Sequence, residues 1–165
     1  MSIALGAVGQ IHISVTDVER SVAFYRDVLG LEHLFTVPGQ PMAFFQAGDV
    51  RLYLGVAENE RFRSRPVVYY RVVDLDATYA AVVERGATSL EKPQKVHDDG
   101  TITLHMAFVQ DPDGNPVGLM EECHVKGDGS VVMDLLRNLQ RRSTPFDDGG
   151  VGRVEVHHPV IDNGP

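Results

Sequence analysis

Polar and aromatic side chains alternate with apolar ones along several short segments of this sequence, where they could face a bound small molecule. The candidate ligand-binding residues are Gln10, His12, Tyr53, Tyr69, Arg71, His105 and Met120. A tyrosine offers ring contact and a hydroxyl, and an arginine can grip a carboxylate or phosphate with two hydrogen bonds. The pattern therefore favours planar or oxygen-rich ligands, although any one Tyr or Arg is as often a cross-strand hydrogen-bonding partner.

Three of these segments also supply candidates for catalysis, namely His105, Tyr69 and Glu122. The near-neutral pKa of an ordinary histidine suits general acid or base work, and Glu122 could orient the His105 ring. A lone inward histidine is more often a packed core residue than a catalyst. No phosphate loop, serine nucleophile elbow or zinc-protease motif accompanies them.

Composition narrows the partners of the chain to small molecules. A net charge of -8 without clustered Lys and Arg argues against a nucleic-acid surface. The single cysteine, Cys123, excludes an internal disulfide and is expected to be a packed or partly exposed thiol rather than a nucleophile. Neither a membrane-spanning apolar run nor a signal-peptide pattern is evident, so we expect a soluble, cytoplasmic protein that contacts no membrane.

The elements that must position these residues occur twice along the chain. VTDVERSVAFYRDVLGL and VVDLDATYAAVVERGAT each run from a strand end through an Asp into an amphipathic helix and a Gly, with Asp17 corresponding to Asp74 and Gly30 to Gly86. Each Asp can cap its helix and each Gly can supply the left-handed residue that ends it. This internal repeat predicts two helices that cover a sheet.

Period-two alternation predicts strands before and after each helix. Strands are expected near 10–15, 31–37, 42–47 and 50–55, then near 67–72, 87–92, 101–110 and 116–122. In the seventh strand, Leu104, Met106 and Phe108 are assigned to the helix side, which leaves His105 facing inward. The DPDGN turn at 111–115 leads into the last strand, where Gly118 stands in the middle.

Each half thus reads βαβββ, and the chain is expected to be an α+β protein. Its two paired modules, 1–64 and 65–123, would form an open barrel-like sheet. A C-terminal extension, 124–165, is expected to contain one short helix from about 131 to 142. The apolar stripe of that helix should dock on the domain or on a second subunit.

Duplicated βαβββ units that carry IHISVTDVERSVAFYRDVLGL and FVQDPDGNPVGL resemble the vicinal oxygen chelate superfamily, which includes glyoxalases, bleomycin resistance proteins and extradiol dioxygenases. The resemblance covers about residues 7–122. It implies a deep open barrel and, commonly, a homodimer, which we therefore expect here. In metal-using relatives four residues bind the metal, one from each of four strands: the first and the last strand of each module.

Those four ligand positions correspond here to Gln10, Tyr53, Val67 and Gly118. None is a strong ligand for a divalent metal, so no metal or other cofactor is expected. The alternative is a displaced metal site of His12, His105 and Glu122, which would make the protein a metal-dependent lyase, isomerase or dioxygenase. A shift of two residues along a strand moves a side chain about 6.6 Å, which weighs against that site.

The sequence therefore predicts a superfamily member that binds a small carbonyl, phenolic or anionic molecule in its barrel. It leaves open whether the protein sequesters that molecule or acts on it as a metal-independent enzyme.

Overall fold

The first half of the chain folds into a four-stranded sheet covered by one helix. The computed structural model describes residues 5–125 and 131–132. The strands are β1 (Gln10–Ser14), β2 (Glu32–Thr36), β3 (Met42–Ala47) and β4 (Val50–Gly55), in the order β1-β4-β3-β2. Helix α1 (Val18–Ala23) continues as a π-helical turn over Phe24–Val28. Strand β1 pairs with β4 in parallel, and the remaining pairs are antiparallel.

The second half repeats this arrangement. Its strands are β5 (Val68–Arg71), β6 (Thr88–Asp98), β7 (Ile102–Gln110) and β8 (Pro116–Val125), in the order β5-β8-β7-β6, with α2 spanning Leu75–Glu84. A short strand β9 (Val131–Val132) adds to β8. A 3-10 turn over Glu60–Phe62 lies between the halves.

The predicted α+β fold of two paired βαβββ modules is confirmed, and neither sheet closes on itself. The module limits 1–64 and 65–123 stay a prediction. The helix expected over about 131–142 is not seen at its first two residues, since Val131 and Val132 pair with β8 as a strand. The rest of that helix lies outside the described residues.

Both helices begin and end as the repeat predicts. The Asp17 carboxylate accepts the backbone N–H of Arg20 at 3.0 Å, and that of Asp74 accepts the N–H of Ala77 at 2.9 Å. Gly30 and Gly86 follow the helices with φ angles of 72° and 104°, which side chains with a Cβ rarely adopt. The two helices are thereby fixed at the same place in each module.

The buried core lies on the helix side of the sheets. Its largest fully buried apolar side chains include Ile13, Phe45, Leu52 and Leu54 from the first sheet. Ala107, Val109, Val117 and Leu119 supply the same layer from the second sheet and belong to the same cluster. The opposite sheet faces therefore remain free to carry polar and aromatic groups.

The DPDGN turn between β7 and β8 ties the second module to the first. Asp113 accepts the Thr16 N–H at 2.9 Å, the Ser21 hydroxyl at 3.0 Å and the Arg20 guanidinium at 2.9 Å. The Thr16 hydroxyl also donates to Asp113. Burial opposes ionisation of this carboxyl, but the hydrogen bonds from Thr16 and Ser21 and the nearby Arg20 outweigh it and lower the pKa of Asp113.

Two buried residues of the same turn complete this connection. The amide of Asn115 donates to the Ser14 carbonyl at 3.1 Å and to the Asp111 carboxylate at 2.8 Å. The Tyr25 hydroxyl, from the π-helical turn after α1, donates to Asp111 at 3.2 Å. The turn is therefore a structural junction between the modules as well as a sharp reversal of the chain. No helix within the described ranges is long and apolar enough to cross a membrane.

Candidate functional site

A row of aromatic rings crosses the first sheet on the face turned away from α1. The His12 ring stacks on Tyr53 with 4.4 Å between centroids, Tyr53 stacks on Phe44 at 5.2 Å, and Phe44 meets Phe35 at 4.7 Å. The parallel register of β1 and β4 places His12 beside Tyr53, and the β3–β4 hairpin places Phe44 beside it on the other side. Each strand of the sheet thus contributes one ring.

Solvent reaches this aromatic row. Phe35 is 49% exposed, and His12, Phe44 and Tyr53 are each partly buried. A small cavity of about 180 Å³ opens beside His12 and Tyr53 and is bordered by Val56 and Phe62. The faces of Tyr53 are covered by its two neighbours, so the row presents ring edges to solvent, and a small planar molecule can lie against them.

A positive charge lies at one edge of the same face. The Arg51 guanidinium is 5.6 Å from the centre of the Phe44 ring and donates to the Gln10 side-chain oxygen at 2.8 Å. Gln10 and Arg51 are exposed neighbours in the β1–β4 register. This pair places a hydrogen-bonding amide and a cationic group beside the aromatic row.

The second sheet carries a different arrangement around Gly118. The Tyr69 ring lies over this glycine: a Cβ added at Gly118 would be 2.5 Å from Cδ1 of Tyr69. Tyr69 also meets Phe108 edge to face at 5.7 Å, and Phe108 is the β7 partner of Gly118. In this conformation the tyrosine ring occupies the space that a side chain at position 118 would fill.

Three further predicted residues share the face of Tyr69. Arg71 is the register partner of Met120, which in turn pairs with Met106 on β7. Glu122 lies two residues beyond Met120 and is partly buried. Within the described part of the chain, no ring contact or side-chain hydrogen bond joins this group to the row on the first sheet. The predicted set is therefore divided between two sheet faces.

The predicted inward orientation of His105 is wrong. His105 pairs with Glu121 and alternates along β7 in step with Ala107 and Val109, which are fully buried in the core on the helix side. Glu121 confirms the direction, since its carboxylate accepts the backbone N–H of Leu75 at the start of α2. Leu104, Met106 and Phe108 thus take the face that was assigned to His105, so His105 cannot join Tyr69 or Arg71 in one site.

The orientation of His105 does not favour the displaced metal site within one chain. Glu122 pairs with Leu104 and lies on the face opposite to His105, so His12, His105 and Glu122 cannot converge on one ion. Among residues 5–125 and 131–132, no three His, Cys, Asp or Glu side chains are arranged to hold a metal.

The four positions that correspond to ligands in metal-using relatives do not fit a metal either. Gln10 is engaged by Arg51, and Tyr53 is stacked between two rings. Val67 has an apolar side chain, and the space above Gly118 is taken by Tyr69. These residues present no set of imidazole or carboxylate donors to a divalent cation.

The surroundings of Cys123 disfavour the thiolate, which is the nucleophilic form of a cysteine. Burial raises the pKa of its thiol, and the neighbouring Glu121 carboxylate raises it further. The protonated thiol is therefore favoured at this partly buried position.

Three aromatic residues on the sheet faces turned away from the helices were not identified from the sequence: Phe35 and Phe44 on the first sheet and Phe108 on the second. The signal for Phe44 was present, because Gly48 and Asp49 form a two-residue hairpin turn that pairs Ala47 with Val50 and hence Phe44 with Tyr53. Phe35 follows a register shift between His33 and Phe35, which alternation alone does not reveal.

Comparison with known proteins agrees with this architecture. Residues 7–119 match the family model described as the glyoxalase/bleomycin resistance protein/dioxygenase superfamily. A glyoxylase-like domain-containing protein of Didymella fabae is 33% identical, over 67% of this chain and 89% of that protein. A probable lactoylglutathione lyase of Vibrio cholerae is 28% identical, over 66% of this chain and 86% of that protein.

A solved structure shows the same fold. The crystal structure of a superfamily member from Sphaerobacter thermophilus superposes with a TM-score of 0.59 and 25% identity, covering 71% of this chain and 98% of that one. The family match over residues 7–119 includes both helices and the DPDGN turn. The chain therefore belongs to the glyoxalase/bleomycin resistance protein/dioxygenase superfamily.

Proposed function

We propose that this protein binds a planar carbonyl, phenolic or anionic small molecule on the sheet faces turned away from the helices, without a metal at the position that metal-using relatives employ. The observation that carries the proposal is the solvent-accessible row formed by His12, Tyr53, Phe44 and Phe35. The aromatic ring of a bound molecule can lie against this row, held by the same dispersion and quadrupole forces that act between the side-chain rings.

Charge and hydrogen bonding supply the other half of the recognition. Arg51 lies next to the row and Arg71 next to Met120, and both are exposed. An arginine can bind a carboxylate or a phenolate through a charge-assisted hydrogen bond. Planar apolar surface beside a cationic donor suits an aromatic molecule with an acidic or carbonyl oxygen.

The absence of a donor set at Gln10, Tyr53, Val67 and Gly118 supports a metal-free site. The Tyr69 ring above Gly118 is the sharpest argument, because a carboxylate there would collide with it. Two modes of action remain within this proposal: sequestration of the bound molecule, or metal-independent catalysis in which Tyr69 acts on it. The similarity to a probable lactoylglutathione lyase keeps a metal-dependent lyase as the rival activity.

Calorimetric titration with salicylate, 4-nitrophenol and 1,4-naphthoquinone tests the binding site. Loss of an aromatic contact of about 0.5–1.5 kcal/mol in Tyr53→Leu should weaken the best of these probes by about 2- to 12-fold. Tyr79→Leu is the matched control, since Tyr79 lies on α2 and its hydroxyl contacts Ser89. Failure of all three probes to bind, or equal weakening in both variants, would contradict the proposal.

Elemental analysis separates the metal-free site from the rival lyase. Protein purified without an affinity tag and equilibrated with Zn²⁺, Ni²⁺ and Mn²⁺ should retain well under one metal ion per chain after gel filtration. Stoichiometric metal that resists gel filtration would favour the lyase.

We further propose that the protein is a cytoplasmic homodimer. Among the described residues, exposed apolar side chains lie on or near the proposed binding faces, including Phe35 (49% exposed), Phe62 (59%), Val67 (41%) and Tyr69 (45%). A second copy could cover these side chains and bring the two separate faces together into one cup.

A further inference from the structure

A cavity of about 170 Å³ lies where the connection between the two modules passes the end of β1. Val15, Val56 and Ala57 form its apolar wall, and two arginines of the connection, Arg63 and Arg65, border it together. The wall at Val56 and Ala57 is shared with the small cavity beside the aromatic row. None of the four rings of that row borders the cavity at the end of β1, so the two spaces have different polar groups.

Hydrogen bonds to β1 fix the connection at Ser64, between the two arginines. The Ser14 N–H donates to the Ser64 carbonyl at 2.9 Å, and the Ser64 N–H donates to Ser14 Oγ at 2.8 Å. The Ser64 hydroxyl donates to the His12 carbonyl at 2.7 Å. The backbone is extended at Arg63, with φ −64° and ψ 125°, and Arg65 precedes a proline, which favours the same conformation. Because side chains alternate along an extended segment, the two arginines share the side opposite to Ser64.

Positive charge is in excess at this cavity. Arg65 makes no ion pair with any residue in the described part of the chain. Arg63 pairs with Glu60 at 3.0 Å, but the two side chains are 56% and 77% exposed, and such a pair is weak. The Asp113 carboxylate also borders the cavity, and its charge is compensated by the guanidinium of Arg20 at 2.9 Å. An incoming anion therefore meets two arginines that have little competing engagement.

From this arrangement we propose that the cavity is a second binding site, for a short-chain aliphatic carboxylate. Its oxygens accept hydrogen bonds from Arg63 and Arg65, since a guanidinium matches the geometry of a carboxylate. Its hydrocarbon part packs against the wall formed by Val15, Val56 and Ala57. The volume lies below the roughly 300 Å³ at which sites for drug-sized ligands begin, which selects a compact acid over a larger aromatic one.

Isobutyrate and isobutyramide form a suitable pair of probes, because they have nearly the same shape and only the former is charged. In an NMR titration of the wild-type protein, isobutyrate should saturably shift the methyl signals of Val15, Val56 and Ala57, and isobutyramide should bind more weakly. Arg63→Gln and Arg65→Gln should each weaken isobutyrate by about 3- to 10-fold, through loss of one partly exposed charge-assisted hydrogen bond. Neither change should alter the binding of isobutyramide to the same extent.

Arg61→Gln is the matched control, because Arg61 is an exposed arginine of the same connection that does not border the cavity. It removes the same charge and should leave the affinity for isobutyrate nearly unchanged. Glu60→Gln releases Arg63 from its ion pair and should tighten the binding of isobutyrate by up to about 5-fold. Because all three arginines are exposed, their replacement should leave the thermal midpoint of the protein close to that of the wild type.

The proposal is overturned if isobutyrate gives no saturable shifts, if the amide binds as tightly as the acid, or if Arg61→Gln weakens the acid as much as Arg65→Gln does. Tyr53→Leu should leave the affinity for isobutyrate unchanged, and Arg65→Gln should leave the binding of the uncharged 1,4-naphthoquinone unchanged. The carboxylate site and the aromatic row can therefore fail independently.

Discussion

Replacement of Asp113 by Asn should weaken the junction between the two modules. The Asp113 side chain is only 4% exposed and accepts hydrogen bonds from the Thr16 N–H at 2.9 Å and the Ser21 hydroxyl at 3.0 Å. A hydrogen bond to a charged group contributes about 1.5–3 kcal/mol, and bonds to a shared acceptor are not additive. Arg20 is 48% exposed, so its ion pair adds at most about 1 kcal/mol.

Asn retains one oxygen that can accept but turns an N–H₂ group toward the donors. We therefore expect Asp113→Asn to lower the free energy of unfolding by about 2–3 kcal/mol at pH 7. Arg20→Ala should cost no more than about 1 kcal/mol. Urea denaturation followed by circular dichroism measures both, with the exposed Asp49→Asn as the matched control.

The pH dependence has a definite sign. The folded protein lowers the pKa of Asp113, so the stabilisation is complete above the pKa of an unfolded aspartate, about 3.9. It is lost as the pH falls through the lower pKa of the folded state. The difference in unfolding free energy between wild type and Asp113→Asn should therefore be constant from pH 7 to about 5 and shrink below about pH 4.

Two results would refute this reasoning. The first is an Asp113→Asn variant whose stability at pH 7 lies within about 0.5 kcal/mol of the Asp49→Asn control, as for an ordinary surface change. The second is a stability difference that stays the same down to pH 2.5, because protonation of the wild-type carboxyl would then have no effect on the junction.

Three further predictions concern the binding faces. Gly118→Ala should destabilise the fold by about 1–3 kcal/mol, because the new methyl group collides with the Tyr69 ring, and the cost should be much smaller in a Tyr69→Ala background. Urea denaturation measures both costs, and equal costs in the two backgrounds would contradict the contact. Arg71→Ala should weaken the binding of an anionic probe such as salicylate by about 1.5–3 kcal/mol, whereas His105→Ala, on the helix side of the sheet, should leave that affinity unchanged. If calorimetry shows instead that only His105→Ala weakens binding, the ligand lies on the helix side. Sedimentation equilibrium at micromolar concentrations should give twice the chain mass of 18.1 kDa, and a monomer throughout would exclude the homodimer.

Local patterns in the sequence determined the elements and the family. Asp17 and Asp74 cap their helices, and Gly30 and Gly86 end them, through contacts that span only a few residues. Such short-range chemistry is readable without a structure. The repeated βαβββ pattern then sufficed to predict the fold and to identify the superfamily.

Only the tertiary structure decided which face each candidate residue takes and what surrounds it. The orientation of His105 follows from its pairing with Glu121 across β7 and β8, and a strand reading that is wrong by one residue reverses every side chain. The sequence raised the question of Gly118, but its answer is the Tyr69 ring, which lies far away along the chain. The DPDGN turn likewise reads as a local reversal, whereas its Asp113 reaches donors on the other module. These contacts join residues from 16 positions apart, for His105 and Glu121, to 97 positions apart, for Thr16 and Asp113, and their geometry depends on how the whole chain packs.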